Sequence, residues 1–389
     1  MRDRSGWMWA MLLATVPVWA NAATPPPAPV EAHVPFAPSA FLGSDGHRHL
    51  AYELHVSNFY GDTGALAAQD LQVFADDGPV PLLHWDPQAL ARQIRPTPAQ
   101  GSAASIAAGA RSVIFVWITL PDGRAMPRRL RHVMDLRTVQ GTPVRLDGAA
   151  LQVATTPPPT LGPPLRGGDW LAHEGPGAAQ SHHWGSLVAV NGALTIPQRY
   201  ALDLVGVDAS GRALRHGTRA LQRKQHSDWI GYGWDVVAVA DGIVRGSHDG
   251  EPEYPPLTAQ PEPAALTADT LFGNHVILEI APGVFASYAH LKTGSVRVKP
   301  GDHVVRGQVV AQLGQSGNSA APHLHFQLSD QPTFEGAEGV PYTFEHFHYL
   351  GPESEAQLFP GGPAWHAAPA QPRQQQLPLN DVVVRFPLH

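Results

Sequence analysis

The chain has 389 residues, with 26 basic and 33 acidic side chains for a net charge of −7, 43% apolar residues and 15% charged ones. Such a balance excludes a disordered polymer and bulk electrostatic binding to nucleic acid. The 38 glycines and 39 prolines, about a fifth of the chain against roughly 12% ordinarily, argue against a helix bundle. Cysteine is absent, which removes disulfides, thiolate zinc sites and cysteine nucleophiles, whereas histidine is abundant at 21 copies.

Residues 1–22 read as a secretory signal peptide. Arg2 and Arg4 precede an apolar run from Trp7 to Ala20, and Ala20-Asn21-Ala22 is a small-x-small cleavage pattern. The run is shorter than the about 20 residues a spanning helix needs. An exported protein, periplasmic or extracellular and without a stable membrane anchor, is therefore expected. A proline-rich tether from Thr24 opens residues 23–154, a β-rich accessory domain of sandwich character. There Leu50, Tyr52, Leu54 and Val56 alternate with Glu53 and His55, the period of a half-buried strand. Val113–Leu120 is continuously β-branched and aromatic, as a strand buried on both faces would be. A short helix fits near Asp86 to Arg95. His47, His49 and His55 read as solvent-facing rather than as a metal patch.

Residues 155–180, rich in proline and glycine, read as a linker. Residues 181–345 form a second β domain, and 346–389 a C-terminal extension. Tyr200–Val205 alternates as a strand. Trp234–Ala240, the Asp241-Gly242 turn and Ile243-Val244 suggest a hairpin, as do Asn274–Ile280 and Val284–Leu291 around Ala281-Pro-Gly283. In His323–Leu328 the period of two sends Leu324, Phe326 and Leu328 to the core and His323 and His325 together to the other face. Two histidines so placed can serve one metal site. With no cysteine, a His/Asp set is the natural zinc option. A long acidic, proline-rich insertion, 247–263, interrupts the sheet. Tyr342, Phe344, Phe347 and Tyr349 read as cover for the domain's flank.

Val237-Ala-Val-Ala-Asp-Gly-Ile-Val244, Tyr288-Ala-His-Leu291, the glycines of Pro300-Gly301 and Arg306-Gly-Gln308, Gly314-x-x-Gly317 and Pro322-His-Leu-His-Phe326 occur in this order. Their succession over residues 180–330 resembles the lysostaphin-like (LytM-type) zinc metallopeptidases, which cut peptide bonds in peptidoglycan. The resemblance implies an antiparallel β-sheet crossed by a groove. It implies one zinc ion per chain, with His325 as the C-terminal ligand, and His290 and His323 as catalytic histidines beside the metal. Asp203 fits the family's aspartate, but Arg199 stands four residues before it, where the family has a histidine ligand. His183 is taken as the replacement, on a strand ahead of the Asn191-Gly192 turn. His182 is the alternative, and His226 with Asp228 forms a rival pair.

The mechanism implied is zinc-assisted peptide hydrolysis, with the roles of base and oxyanion donor left open between His290 and His323. The expected partner is a peptidoglycan peptide. A non-catalytic relative that binds a wall hydrolase, or a peptidase acting on proteins, are the alternatives.

Overall fold

The computed structural model describes residues 28–99, 102–215, 225–258 and 268–388. The proposed signal peptide lies outside them. The chain is mainly β, with 45% strand and 5% helix, and nearly every strand pairing is antiparallel. Among the described residues no helix is long and apolar enough to cross a membrane.

The N-terminal part stacks two sheets. One joins β1 (Val30–His33), β2 (Phe41–Leu42), β3 (Arg48–Asn58), β6 (Ile94–Arg95) and β8 (Arg111–Leu120). The other joins β4 (Leu66–Ala75), β5 (Pro81–Trp85), β7 (Ser105–Ile106), β9 (Arg129–Arg137) and β10 (Pro143–Gln152). Leu50, Tyr52, Leu54 and Val56 of β3 meet Ile114, Val116 and Ile118 of β8 in the core between them, so the alternation is realised. The helix α1 (Pro87–Gln93) starts on Asp86, whose carboxylate accepts the Ala89 N–H at 2.8 Å.

The opposite face of this sheet is not solvated. Phe41, Ala51, Val113 and Phe115 join the core of the second domain, and His49, Glu53 and His55 are buried. The reading of His49 and His55 as solvent-facing is corrected: period two reports which residues share a face, but not what covers it. His49 packs on Trp117 and bonds Asp45 and Thr119.

The second domain is organised by β11 (Thr160–Leu161), β12 (Asp169–His173), β13 (Val188–Val190), β14 (Ala193–Thr195), β15 (Leu202–Val207), β16 (Asp235–Val237), β17 (Gly242–His248), α2 (Ala268–Phe272), β18 (His275–Ala281), β19 (Val284–Ala289), β20 (His303–Val304), β21 (Val309–Gln312), β22 (Leu324–Ser329), β23 (Thr343–Pro352), β24 (Gln371–Gln376) and β25 (Val382–Arg385). Its large sheet runs β11-β23-β25-β12-β15-β22-β19-β18-β17-β20, with β24 added on β23. Two strands of that sheet, β11 and β12, lie in the stretch read as a linker, and three more lie from residue 343 onward. Their proline and glycine neighbours hid them. Tyr342, Phe344 and Phe347 are core residues.

The Asp241-Gly242 hairpin does not form. β16 pairs with β21 in a separate two-stranded sheet, and β17 pairs with β18 and β20. The β18–β19 hairpin is present. His183 also departs from expectation: it sits in a turn rather than on a strand, and β13 pairs only with β14.

Candidate metal centre

The register between β15 and β22 builds the floor of the site. Asp203 lies opposite His325, flanked by the pairs Leu202–Phe326 and Leu204–Leu324. The leucines and Phe326 enter the core, so the alternation of both strands presents Asp203 and His325 together on the other face. On the far side of β22, His325 lies opposite Ala289 of β19.

The remaining histidines arrive from turns. His290, just past β19, has φ +58°, the left-handed conformation that is uncommon for a residue with a side chain. It is pinned there by its N–H to Phe272 O, at 2.8 Å. The turn swings its ring to 4.7 Å from that of His323 and 5.8 Å from that of His325. The loop before β22 fits because Gly317, φ +72°, lies on the backbone of Gly273; a Cβ there would fall 2.4 Å from Gly273 N. His183 comes from the turn before Trp184, with its ring 4.8 Å from that of His325.

The hydrogen bonds fix the tautomers. Nδ1 of His183 donates to Glu174 O at 2.9 Å, Nδ1 of His323 to Ala321 O at 2.8 Å, and Nδ1 of His290 to Ser316 O at 2.8 Å. A carbonyl oxygen only accepts, so in each neutral ring Nε2 carries the lone pair. His325 has a partner on both sides, Gln327 Oε1 at 2.9 Å from Nε2 and Asp203 Oδ1 at 3.0 Å from Nδ1. Three ring nitrogens converge on one atom, Asp203 Oδ1: His325 Nδ1 at 3.0 Å, His323 Nε2 at 3.3 Å and His183 Nε2 at 3.4 Å. Nε2 of His183 and of His323 are buried with no hydrogen-bond partner. Acceptors facing an acceptor at such distances repel unless a cation lies among them.

Electrostatics lead the same way. Burial lowers the His183 imidazole to about 4, against the pull of Asp203, and holds that of His290 well below its ordinary value, with His323 and His325 adding to the effect. Burial alone would raise the Asp203 carboxyl, but His323, His183 and hydrogen bonding from His182 outweigh it and keep it well below the usual carboxylate range. One buried carboxylate facing several histidine ring nitrogens is a donor set for a divalent metal such as zinc. Ligands about 2.0–2.1 Å from zinc in a tetrahedron lie roughly 3.3–3.4 Å apart, close to the 3.0–3.4 Å seen around Asp203 Oδ1.

All five residues singled out from the sequence thus meet: His183, Asp203, His290, His323 and His325. His182 also belongs to the cluster with His183 and Asp203. It is 65% exposed, however, and its two nitrogens face Glu174 and Asp203 Oδ2. The rival pair stands apart: His226 stacks on Tyr232 and bonds Tyr254 O, and Asp228 caps its own short 3-10 turn. Arg199 is buried and ion-paired with Glu53 and Glu338, so it has no free lone pair to offer a metal.

Two supporting residues were missed. Gln327 stands two residues past His325 on the same strand face, and period two could have found it. Glu174, which orients His183 through its carbonyl and accepts the His182 N–H through its carboxylate, carried no local signal.

A groove of about 580 Å³ opens over the cluster, with Leu257, Phe272, Phe334, Leu358 and Phe359 among its walls. The insertion supplies Leu257, whose N–H bonds Ala320 O at 2.8 Å, and is tied down by Glu253 accepting from Gln315 N and Tyr232 Oη.

Sheet, groove and donor set together define a β protein with a buried His/Asp centre suited to a divalent metal. Residues 230–334 match Peptidase family M23, so the lysostaphin-like resemblance read from the sequence holds for that stretch. The match contains His290, His323 and His325, and lies downstream of His183 and Asp203. Comparison with curated proteins returns no match. Similar solved structures include the catalytic domain of the prophage-encoded M23 protein EnpA from Enterococcus faecalis, 22% identical over 34% of this chain and 87% of that one, TM-score 0.21. The catalytic domain of the antimicrobial peptidase lysostaphin from Staphylococcus simulans is 23% identical over 36% and 71%, TM-score 0.20. A zinc containing peptidase from Vibrio cholerae is 14% identical over 75% and 81%, TM-score 0.22. Scores of this size carry no functional argument, which rests instead on the residues of the site.

Proposed function

We propose that this chain is an exported zinc metalloendopeptidase acting on peptide cross-links of peptidoglycan. The observation that carries the metal is the convergence of His183, His323 and His325 ring nitrogens on one buried oxygen of Asp203, with Nε2 of His183 and of His323 otherwise unpartnered. His183 Nε2, Asp203 Oδ1 and His325 Nδ1 would hold the ion. Zinc bound there would supply Lewis-acid polarisation of the scissile carbonyl and a water-derived nucleophile near neutral pH.

The other chemistry belongs to the chain. His290 and His323 each have Nδ1–H fixed on a backbone carbonyl, which leaves Nε2 for the chemistry. One takes the proton of the attacking water, and once protonated becomes a donor to the leaving amine. The other acts in its protonated form, donating from Nε2 to the carbonyl oxygen on which charge develops. The apolar walls of the groove exclude water around an extended peptide. Support for a wall peptide as substrate comes from the family resemblance.

The test is incubation of the mature chain with cell-wall sacculi, with and without a chelator. Release of new amino termini that stops with chelator and returns with zinc is expected. Zinc binding without cleavage of sacculi or of protein would favour the alternative, a non-catalytic binding role.

A further inference from the structure

The metal reading leaves one feature unused: the turn that carries His183 is held mainly by the N-terminal sandwich. Trp184, next in sequence, is 1% exposed and donates its indole N–H to Glu53 Oε1 of β3 at 2.6 Å. Its ring lies edge-on to Phe115 at 5.6 Å and 5.9 Å from Trp117, both of β8. Just upstream, Arg95 of β6 donates to Ala179 O at 2.9 Å and Gln180 Oε1 at 2.7 Å, and Gln180 bonds Arg92 O. From the catalytic sheet's side the turn has Glu174, accepting from His183 Nδ1 and His182 N.

Glu53 does more than accept from Trp184. Its carboxylate also takes the Arg199 guanidinium, Nε at 2.9 Å and Nη2 at 2.5 Å. One buried carboxylate of the accessory domain therefore ties together the neighbour of one metal-binding candidate and the residue standing where the family's histidine would be.

We infer that the accessory domain is a structural part of the metal centre, with Glu53 a positioning residue that sets His183 through Trp184. The inference rests on the zinc reading above. Holding a ligand's ring from its neighbour acts on metal affinity, and loss of partners that orient ligands costs about 10–100-fold. A domain that served only to present substrate would leave affinity untouched.

The experiment uses the full mature chain and three variants. Trp184→Phe keeps the packed ring but removes its N–H. Glu53→Gln weakens the acceptor and the hold on Arg199. Tyr200→Phe is the control, because it deletes another interdomain hydrogen bond, Tyr200 Oη to Ala51 O at 3.2 Å, without touching the His183 turn. Zinc dissociation constants are read by chelator competition, the coordination sphere by the visible spectrum of the cobalt-substituted protein, and folding by metal-free thermal melts.

Trp184→Phe is expected to weaken zinc about 10-fold or more and change the cobalt spectrum, with a metal-free melt close to that of Tyr200→Phe; Glu53→Gln should weaken zinc likewise. Tyr200→Phe should retain wild-type affinity. Equal zinc affinity in wild type, Trp184→Phe and Tyr200→Phe overturns the positioning role while leaving the zinc reading intact. A wild-type chain that binds no zinc overturns both. If Glu53→Gln fails to fold, Trp184→Phe alone decides.

Discussion

The two sides of the metal centre are built by different means. Asp203 and His325 stand on paired central strands, where register alone fixes their separation and buried leucines on the reverse face forbid a slip. His183 and His290 stand on turns and are held one bond at a time, by Glu174 O, Ser316 O and a left-handed backbone. A strand positions a residue through its neighbours' packing. A turn positions it through specific polar contacts made one residue at a time.

The largest effect expected is on the strand side. Asp203→Ala and His325→Ala should bind no zinc at all in metal analysis, and hydrolysis should vanish with it. His183→Ala should match them and His182→Ala should retain the ion; the opposite result would move the turn's contribution by one residue and leave the strand pair standing.

Next come the histidines argued to do chemistry. His290→Ala and His323→Ala should keep zinc while turnover of a wall peptide falls about 10²–10⁴-fold. Loss of zinc in His323→Ala would make it a fourth ligand and shift the acid–base work to His290, sharpening the division between strand and turn.

A third test restores the family's residue. Arg199→His should not tighten zinc, because Arg199 points to Glu53 and Glu338 and its removal strands two buried carboxylates. Breaking such a buried arrangement costs about 3–5 kcal/mol, measurable in denaturant unfolding. Tighter zinc with unchanged stability would show that a histidine four residues before Asp203 can also reach the ion.

The smallest effect reaches into the sandwich. His132 lies in the N-terminal part, bonded to Tyr52 Oη at 2.8 Å and Ala149 O at 2.9 Å. Burial lowers its imidazole from 6.5 to about 4, against the backbone hydrogen bond. The unfolded state therefore binds the proton first. Stability is complete above about pH 6.5 and declines as pH falls towards 4, by on the order of 3 kcal/mol. Melts of wild type and His132→Gln across that window should converge at the acid end; parallel curves would remove His132 from the account.

Much of this was legible in the sequence where period two operates. The β3 face and the shared face of His323 and His325 follow from alternation, while β8 follows from a continuous apolar run and the β18–β19 hairpin from its Ala281-Pro-Gly283 turn. Alternation does not say that the outer face of β3 is covered, so His49 and His55 read as solvent-facing although both are buried. Proline-rich flanks concealed β11 and β12, and the Asp241-Gly242 pair imitated a hairpin although its strands pair elsewhere. His183 follows from the family pattern, but the turn that presents it depends on contacts with Arg95 and Glu53 across 84 and 131 positions of the chain, separations with no local signature.

The sheet order carries a consequence for how the molecule comes into being. β12 is paired on one side by β15, close in sequence, and on the other by β25, which is separated from it by more than two hundred residues. β25 also fills the space beside β23. Until Val382–Arg385 have been synthesised, both neighbours present open edges, and the strand bearing Asp203 belongs to a half-sheet. Folding should therefore be late and dominated by closure of one very long loop, a topology that favours slow assembly and a chain kept unfolded until it is whole.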